Sequence, residues 1–154
     1  MKKMLVWILV LMMILPVGGV MGETVMLGST GLVLNLNGLS FSKPTGADKP
    51  DHAVLMFGNS EGTMRGVIYE YTSEGQTIES LENEVLAKAK GVTASGYTDL
   101  NGVQCFWVVM DDFGDNYIVY YTIEGSKMVQ FEFYYKGAEA ANLTGTIMNT
   151  LHKT

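Results

Sequence analysis

The sequence predicts an α+β fold, an antiparallel sheet of about six strands with helices packed on it. Three observations predict it. The stretch from Gly102 to Lys136 holds three runs rich in β-branched and aromatic residues, separated by polar turns at Asp111–Asn116 and Glu124–Lys127. That is the pattern of a three-stranded antiparallel meander. Two segments with helical spacing, Thr77–Lys90 and Gly137–Leu151, flank the meander. The 154 residues are 47% hydrophobic and 17% charged, which is enough apolar material for one core and too little charge for a disordered chain.

The first 22 residues read as a targeting segment. Lys2 and Lys3 form a positive start, Met4 to Leu15 is an apolar run, Pro16 breaks it, and Val20 and Gly22 supply a small-residue exit. Those are the three parts of a secretory signal peptide, with cleavage expected at Gly22–Glu23. The competing reading is an uncleaved anchor, since Met4 to Met21 carries no charge. Under either reading residues 23–154 form a single globular domain outside the cytoplasm, secreted or tethered to the membrane through residues 4–21 only.

Glu23 to Asn37 reads as a strand pair or one bent strand, turning at Gly28–Gly31, with Leu32, Leu34 and Leu36 on one face. Asn37-Gly38 is a tight-turn pair, and Leu39–Ser42 is a short strand before the proline-bearing loop Ser42–His52. Ala53–Phe57 is a short buried strand. Met64–Thr72 follows as a longer strand, with Val67, Tyr69 and Tyr71 on one face. Thr77 is the expected N-cap of the first helix, and Gly91 its expected stop. Ile78, Leu81, Val85 and Ala89 form its apolar stripe, and Glu84 and Lys88 form an i,i+4 pair.

Val92–Leu100 is a polar strand or link, closed by the tight turn Asn101-Gly102. In the first meander strand Val103, Cys105, Trp107 and Val109 face one way and Gln104, Phe106, Val108 and Met110 the other. Both faces are apolar, which places this strand centrally. The last strand puts Val129, Phe131, Phe133 and Tyr135 inward and Gln130, Glu132 and Tyr134 outward, an alternation expected of a half-exposed strand near an edge. The second helix buries Ala140, Leu143, Ile147 and Leu151, and Gly145 weakens it by about 1 kcal/mol relative to alanine.

This arrangement resembles the PsbP-like fold, an α/β/α sandwich used by photosystem II extrinsic proteins, by a Ran-binding nuclear transport factor and by many small exported prokaryotic proteins. The resemblance is carried by SFSKPTG (Ser40 to Gly46), TIESLENEVL (Thr77 to Leu86), LNGVQCFWVV (Leu100 to Val109) and the terminal IMNTL (Ile147 to Leu151). It covers nearly all of residues 31–154. It implies no shared catalytic residues.

The chain carries 10 Lys and Arg against 16 Asp and Glu, and removal of Lys2 and Lys3 leaves 8 against 16, or −8. An acidic chain without a basic patch argues against nucleic acid and against anionic lipid surfaces. Asp111, Asp112, Asp115 and Asn116 offer hard oxygens for Ca²⁺, but their spacing is not that of an EF-hand, and turn chemistry explains them better. His52 and His152 do not make a zinc site, which needs three or four converging ligands. The lone Cys105 reads as a small buried apolar residue rather than a reactive or partner-linked thiol. Ser60 and Glu61 form only a turn pair, and no Gly-x-Ser-x-Gly elbow is present. Asn142-Leu143-Thr144 is a chance glycosylation sequon, because Leu143 is core-facing.

The sequence therefore assigns no catalytic, cofactor-binding or metal-ligating residue. The group Tyr69, Tyr71, Tyr117, Tyr120, Tyr121, Tyr134 and Tyr135 could offer aromatic contact surface, or could lie under helices with hydroxyls at the rim. The expected role is an exported non-catalytic domain binding a protein or envelope component. The alternative is an extracytoplasmic binder of a small molecule or Ca²⁺, and an extracytoplasmic hydrolase is less favoured.

Overall fold

The computed structural model describes residues 24–47, 49–112 and 115–154. The expected targeting segment, and Phe113 and Gly114 of the acidic turn, lie outside the described residues. The elements are β1 (Thr24–Met26), β2 (Leu32–Asn35), β3 (Ser40–Ser42), β4 (Ala53–Gly58), β5 (Met64–Thr72), α1 (Ile78–Lys88), β6 (Val92–Leu100), β7 (Val103–Asp112), β8 (Asp115–Glu124), β9 (Lys127–Tyr135), α2 (Gly137–Met148) and β10 (His152–Lys153). No helix among the described residues is long and apolar enough to cross a membrane.

The α+β class holds, but the strand count exceeds the expected six. The described residues form a three-stranded sheet, β1-β2-β10, and a seven-stranded sheet, β3-β4-β5-β9-β8-β7-β6. Every pairing is antiparallel. The extra strands are short pieces at the two ends of the chain. β10 was hidden because two residues, His152 and Lys153, carry no periodicity; they are held by pairing with Val33 and Leu32.

The large sheet has two covered faces, so the domain is layered. On one face Leu55, Phe57, Ile68, Cys105, Val129, Phe131 and Phe133 meet the small sheet (Val25, Leu32, Leu34) and α2 (Ala140, Ile147, Met148) in one core. On the other face Phe106, Val108, Tyr117, Val119, Tyr121 and Tyr134 pack beneath Ile78 and Leu81 of α1. Burial of these side chains, at about 25 cal/mol per Å² of apolar area, is the main force holding the layers together.

Two strand placements differ from the sequence reading. β9 is the middle strand of seven, not an edge strand, because β5 pairs with it along its full length from Met64↔Tyr135 to Thr72↔Lys127. Gln130 and Glu132 on its polar face are half-buried beside α1 rather than open to solvent along an edge. β7 lies next to the edge, not at the centre, although both its faces are covered as expected; β6 forms the edge itself and is exposed over most of its length. Alternation reports how each face is covered, and it says nothing about which strand lies alongside.

Local signals were read well. Asn37-Gly38 and Asn101-Gly102 have φ of 50° and 85°, and of 53° and 84°. Positive φ at both positions is what a type I′ turn requires, and Asn and Gly tolerate it best; Asn101-Gly102 closes the β6–β7 hairpin, whereas Asn37-Gly38 carries the chain from the small sheet to the large one. Thr77 Oγ1 accepts from the Ser80 N–H at 3.1 Å, and Ser80 Oγ accepts from the Thr77 N–H at 3.0 Å, a reciprocal cap. Lys88 Nζ donates to Glu84 Oε1 at 2.5 Å. The helix ends earlier than expected, with Ala89 as C-cap. Gly91 (φ 70°) serves the next strand instead: its carbonyl accepts from Asp111 N–H at 3.2 Å, and a Cβ there would stand 3.0 Å from the Asp111 carbonyl oxygen.

Candidate functional site

α1 does not close down on the whole face of the large sheet. Between its outer side and the sheet lies an open cleft of about 870 Å³. The turn after β5 contributes Glu74 and Gln76, α1 contributes Leu81, Glu84, Val85 and Lys88, and the floor comes from Tyr71, Tyr117, Tyr121, Gln130 and Glu132. The floor residues share one face because β5, β9 and β8 are consecutive neighbours and their pleats are in phase, with Val67 and Val119 both opposite Glu132.

Glu132 is the central group. It sits at mid-strand in the middle strand of the sheet, between the buried Phe131 and Phe133 of the opposite face. Gln130 Nε2 donates to its Oε1 at 2.6 Å, and the Tyr117 hydroxyl donates to the same carboxylate. Loss of hydration raises its pKa above the ordinary carboxylate value, and these two hydrogen bonds oppose the rise without cancelling it. The tyrosines around it are shifted in the matching direction. Tyr117 is pushed well above its ordinary value by burial first and then by the negative charge of Glu132, and Tyr121 and Tyr69 follow for the same two reasons. Phenols that stay protonated are donors, which suits them to hold a carboxylate.

The aromatic rings of this floor pack on one another and on their neighbours. Tyr117 stacks on Tyr134 with ring centroids 4.5 Å apart, Phe106 stacks on Tyr121 at 6.1 Å, and His52 lies 4.7 Å from Tyr71. Of the seven tyrosines singled out from the sequence, Tyr69, Tyr71, Tyr117, Tyr121 and Tyr134 belong to this face. Tyr120 and Tyr135 pack instead on the opposite core, and Tyr120 meets Phe133 edge-on.

The pH behaviour follows from the direction of the Glu132 shift. The folded state holds its proton more tightly than the unfolded state, where the carboxyl has a pKa of about 4.3. Its contribution to stability is therefore present at low pH and is lost as pH rises through the raised folded value. Glu132→Gln removes this loss. The variant should gain melting temperature relative to the parent as pH rises from the acid side to neutrality, and a constant difference across that range would contradict it.

The other candidates from the sequence are scattered. Asp111 pairs opposite Asn116, and Asp112 opposite Asp115, so this acidic stretch is the end of the β7–β8 hairpin. His52 leads into β4, whereas His152 lies in β10 of the other sheet. No group of three or more His, Cys, Asp or Glu comes together among the described residues in a way that could hold a metal. Cys105 is fully buried in the main core, and burial pushes its thiol up to about 12, so it stays protonated. In the sequon, Asn142 is exposed while Thr144 is buried with its hydroxyl on the Ala140 carbonyl at 3.1 Å, and Leu143 packs on the core.

Glu132 itself was missed from the sequence as a site residue. The signal was present: it is the only charged residue between Lys127 and Lys136, in the run MVQFEFYY. Alternation assigned it to solvent, and only the helix above it makes that position a cleft floor.

A second carboxylate, Glu70, works structurally on the opposite face of β5. It accepts from the Ser29 N–H at 3.0 Å and from Ser29 Oγ at 2.7 Å, with Lys127 Nζ at 3.4 Å. Burial raises its pKa, but those donors and the lysine charge outweigh burial and hold it below the ordinary value. It fastens the β1–β2 turn of the small sheet to the large one.

No protein-family model and no curated protein matches this chain. Solved structures do. The solution structure of cyanobacterial PsbP (CyanoP) from Synechocystis sp. PCC 6803 superimposes with a TM-score of 0.62 at 11% identity, over 90% of this chain and 95% of that one. A crystal structure from Bacteroides thetaiotaomicron matches with a TM-score of 0.58 at 12% identity, over 88% of this chain but 49% of that one, so this chain spans about half its length. With two helices on opposite sides of a large antiparallel sheet, the chain has a PsbP-like fold.

Proposed function

We propose that this chain is an exported, non-catalytic domain that binds a protein or envelope component through the cleft under α1. The observation that carries this reading is the cleft itself: about 870 Å³ of open space over a floor of stacked aromatic rings. Ligand sites are typically concave, mostly apolar, and carry a few fixed polar groups, as this one does with Glu132 and Gln130. The N-terminal pattern of Lys2-Lys3, apolar run and small-residue exit supports export.

Site-specific photocrosslinking tests the reading. A crosslinker is placed at Lys88, on the cleft, and in a control at Glu61, in the exposed turn between β4 and β5. In the native envelope fraction the Lys88 position should give a discrete product that the Glu61 position does not. The intact mass of the uncrosslinked chain should match residues 23–154. Equal labelling at both positions removes the cleft from the reading, and a mass that includes residues 1–22 removes signal cleavage.

A further inference from the structure

Both hydrogen-bond partners of the Glu132 carboxylate, Tyr117 and Gln130, are neutral. The carboxylate nevertheless lines an open cleft and is partly buried there. A carboxylate removed from bulk water and held by these neutral donors is stabilised further by a positive charge, which a cationic group entering the cleft would supply.

The rest of the lining has the same polarity. Four acids, Glu74, Glu84, Asp111 and Glu132, line the cleft against two lysines, Lys88 and Lys90. Lys88 and Glu84 offset each other at 2.5 Å, which leaves Glu74, Asp111 and Glu132 against Lys90. The remaining lining therefore favours cations over anions. The walls add a second selection. Tyr71, half-buried, presents its ring to the cleft above the more deeply buried Tyr117 and Tyr121, and the electron-rich face of an aromatic ring attracts weakly hydrated organic cations. A metal ion that gave up its water here would instead need several converging oxygen ligands in its place, and no group of three or more His, Cys, Asp or Glu that could hold one is found among the described residues.

We propose that the cleft between α1 and the sheet is a binding site for a small organic ammonium compound, with Glu132 as counter-ion and Tyr71 as the aromatic contact on its floor. The inference rests on the binding-domain reading and names the chemistry recognised at that site. The volume admits a molecule well beyond the ammonium group itself, so an attached polar portion can reach Gln76 and Lys90 at the margin.

Calorimetric titration tests it, with choline as the probe and its uncharged carbon analogue, in which carbon replaces the nitrogen, as the matched control. The two differ in charge and hardly in shape. Choline should bind, and the carbon analogue should bind about tenfold more weakly or worse. Glu132→Gln, which keeps the size of the side chain, should lose most of that preference. Equal binding of the two probes to the parent protein, or no binding of choline at millimolar concentration, overturns the proposal without relying on any variant. Retention of the full preference by Glu132→Gln removes Glu132 from it. These outcomes are separate from the Lys88 crosslink, which reports occupancy of the cleft whatever the charge of the occupant.

Discussion

Phe133→Ala should lower the folding stability by about 3–5 kcal/mol, the range for truncating a buried aromatic side chain. Phe133 is 0% exposed and lies in the middle strand of the large sheet. Its ring meets Phe57 edge-on with centroids 5.5 Å apart and Tyr120 at 6.2 Å. Those neighbours come from strands on either side of β9, so no single element can slide in to fill the space. The cavity term should therefore be close to its full value. Urea unfolding of the parent and the variant checks this: the midpoint should fall with little change in slope. A loss below about 1 kcal/mol would mean that the site collapses easily and that β9 is not the packed centre of the domain.

Gly66→Ala is expected to be nearly as informative, for the opposite reason. Gly66 sits in β5 directly opposite Phe57 on one side and Phe133 on the other. The Phe57 ring lies over the glycine, and a Cβ built there would stand 2.1 Å from Phe57 Cζ. Phe57 is 0% exposed, so its ring has nowhere free to go. Overpacking of this kind costs about 1–3 kcal/mol, set against up to about 1 kcal/mol from the lower backbone entropy of alanine in the unfolded chain. Net destabilisation is expected. A double-mutant cycle isolates the cause: in a Phe57→Leu background, the alanine should cost less than in the parent, with a coupling of about 0.5–3 kcal/mol. Additive costs would show that the ring contact is not what makes glycine necessary here.

The residues that behaved as the sequence suggested share one property, which is that their cause is local. Thr77 caps α1 because its hydroxyl reaches a backbone N–H three residues on. Asn37-Gly38 and Asn101-Gly102 turn the chain because their own backbone tolerates positive φ. The meander forms because strands joined by two-residue turns have no nearer partner. Gly91 and β9 went differently because their causes are not local. Gly91 looked like a helix stop, yet its conformation serves a contact with Asp111 across the β6–β7 pair. β9 looked half-exposed because Gln130 and Glu132 are polar, yet β5 covers its edge and α1 stands over its face.

The candidate site shows the same division. The tyrosines were visible as a group, but which of them belong together was not: Tyr117 and Tyr121 fall on the α1 face, while Tyr120 between them falls on the other core. Period-two alternation separates them correctly, but it cannot tell which of two apolar faces keeps an opening.

From its sequence alone this protein determined its class, its helices and its tight turns, because hydrophobic periodicity and backbone conformational preference are properties of neighbouring residues. Tertiary structure alone decided the order of the seven strands, the capture of β10 by β2, and the position of Glu132 on the floor of an aromatic cleft. Those depend on pairings between segments far apart in the chain, such as β5 with β9. Such pairings are selected by the burial of a whole face at once, and no short window of sequence contains that quantity.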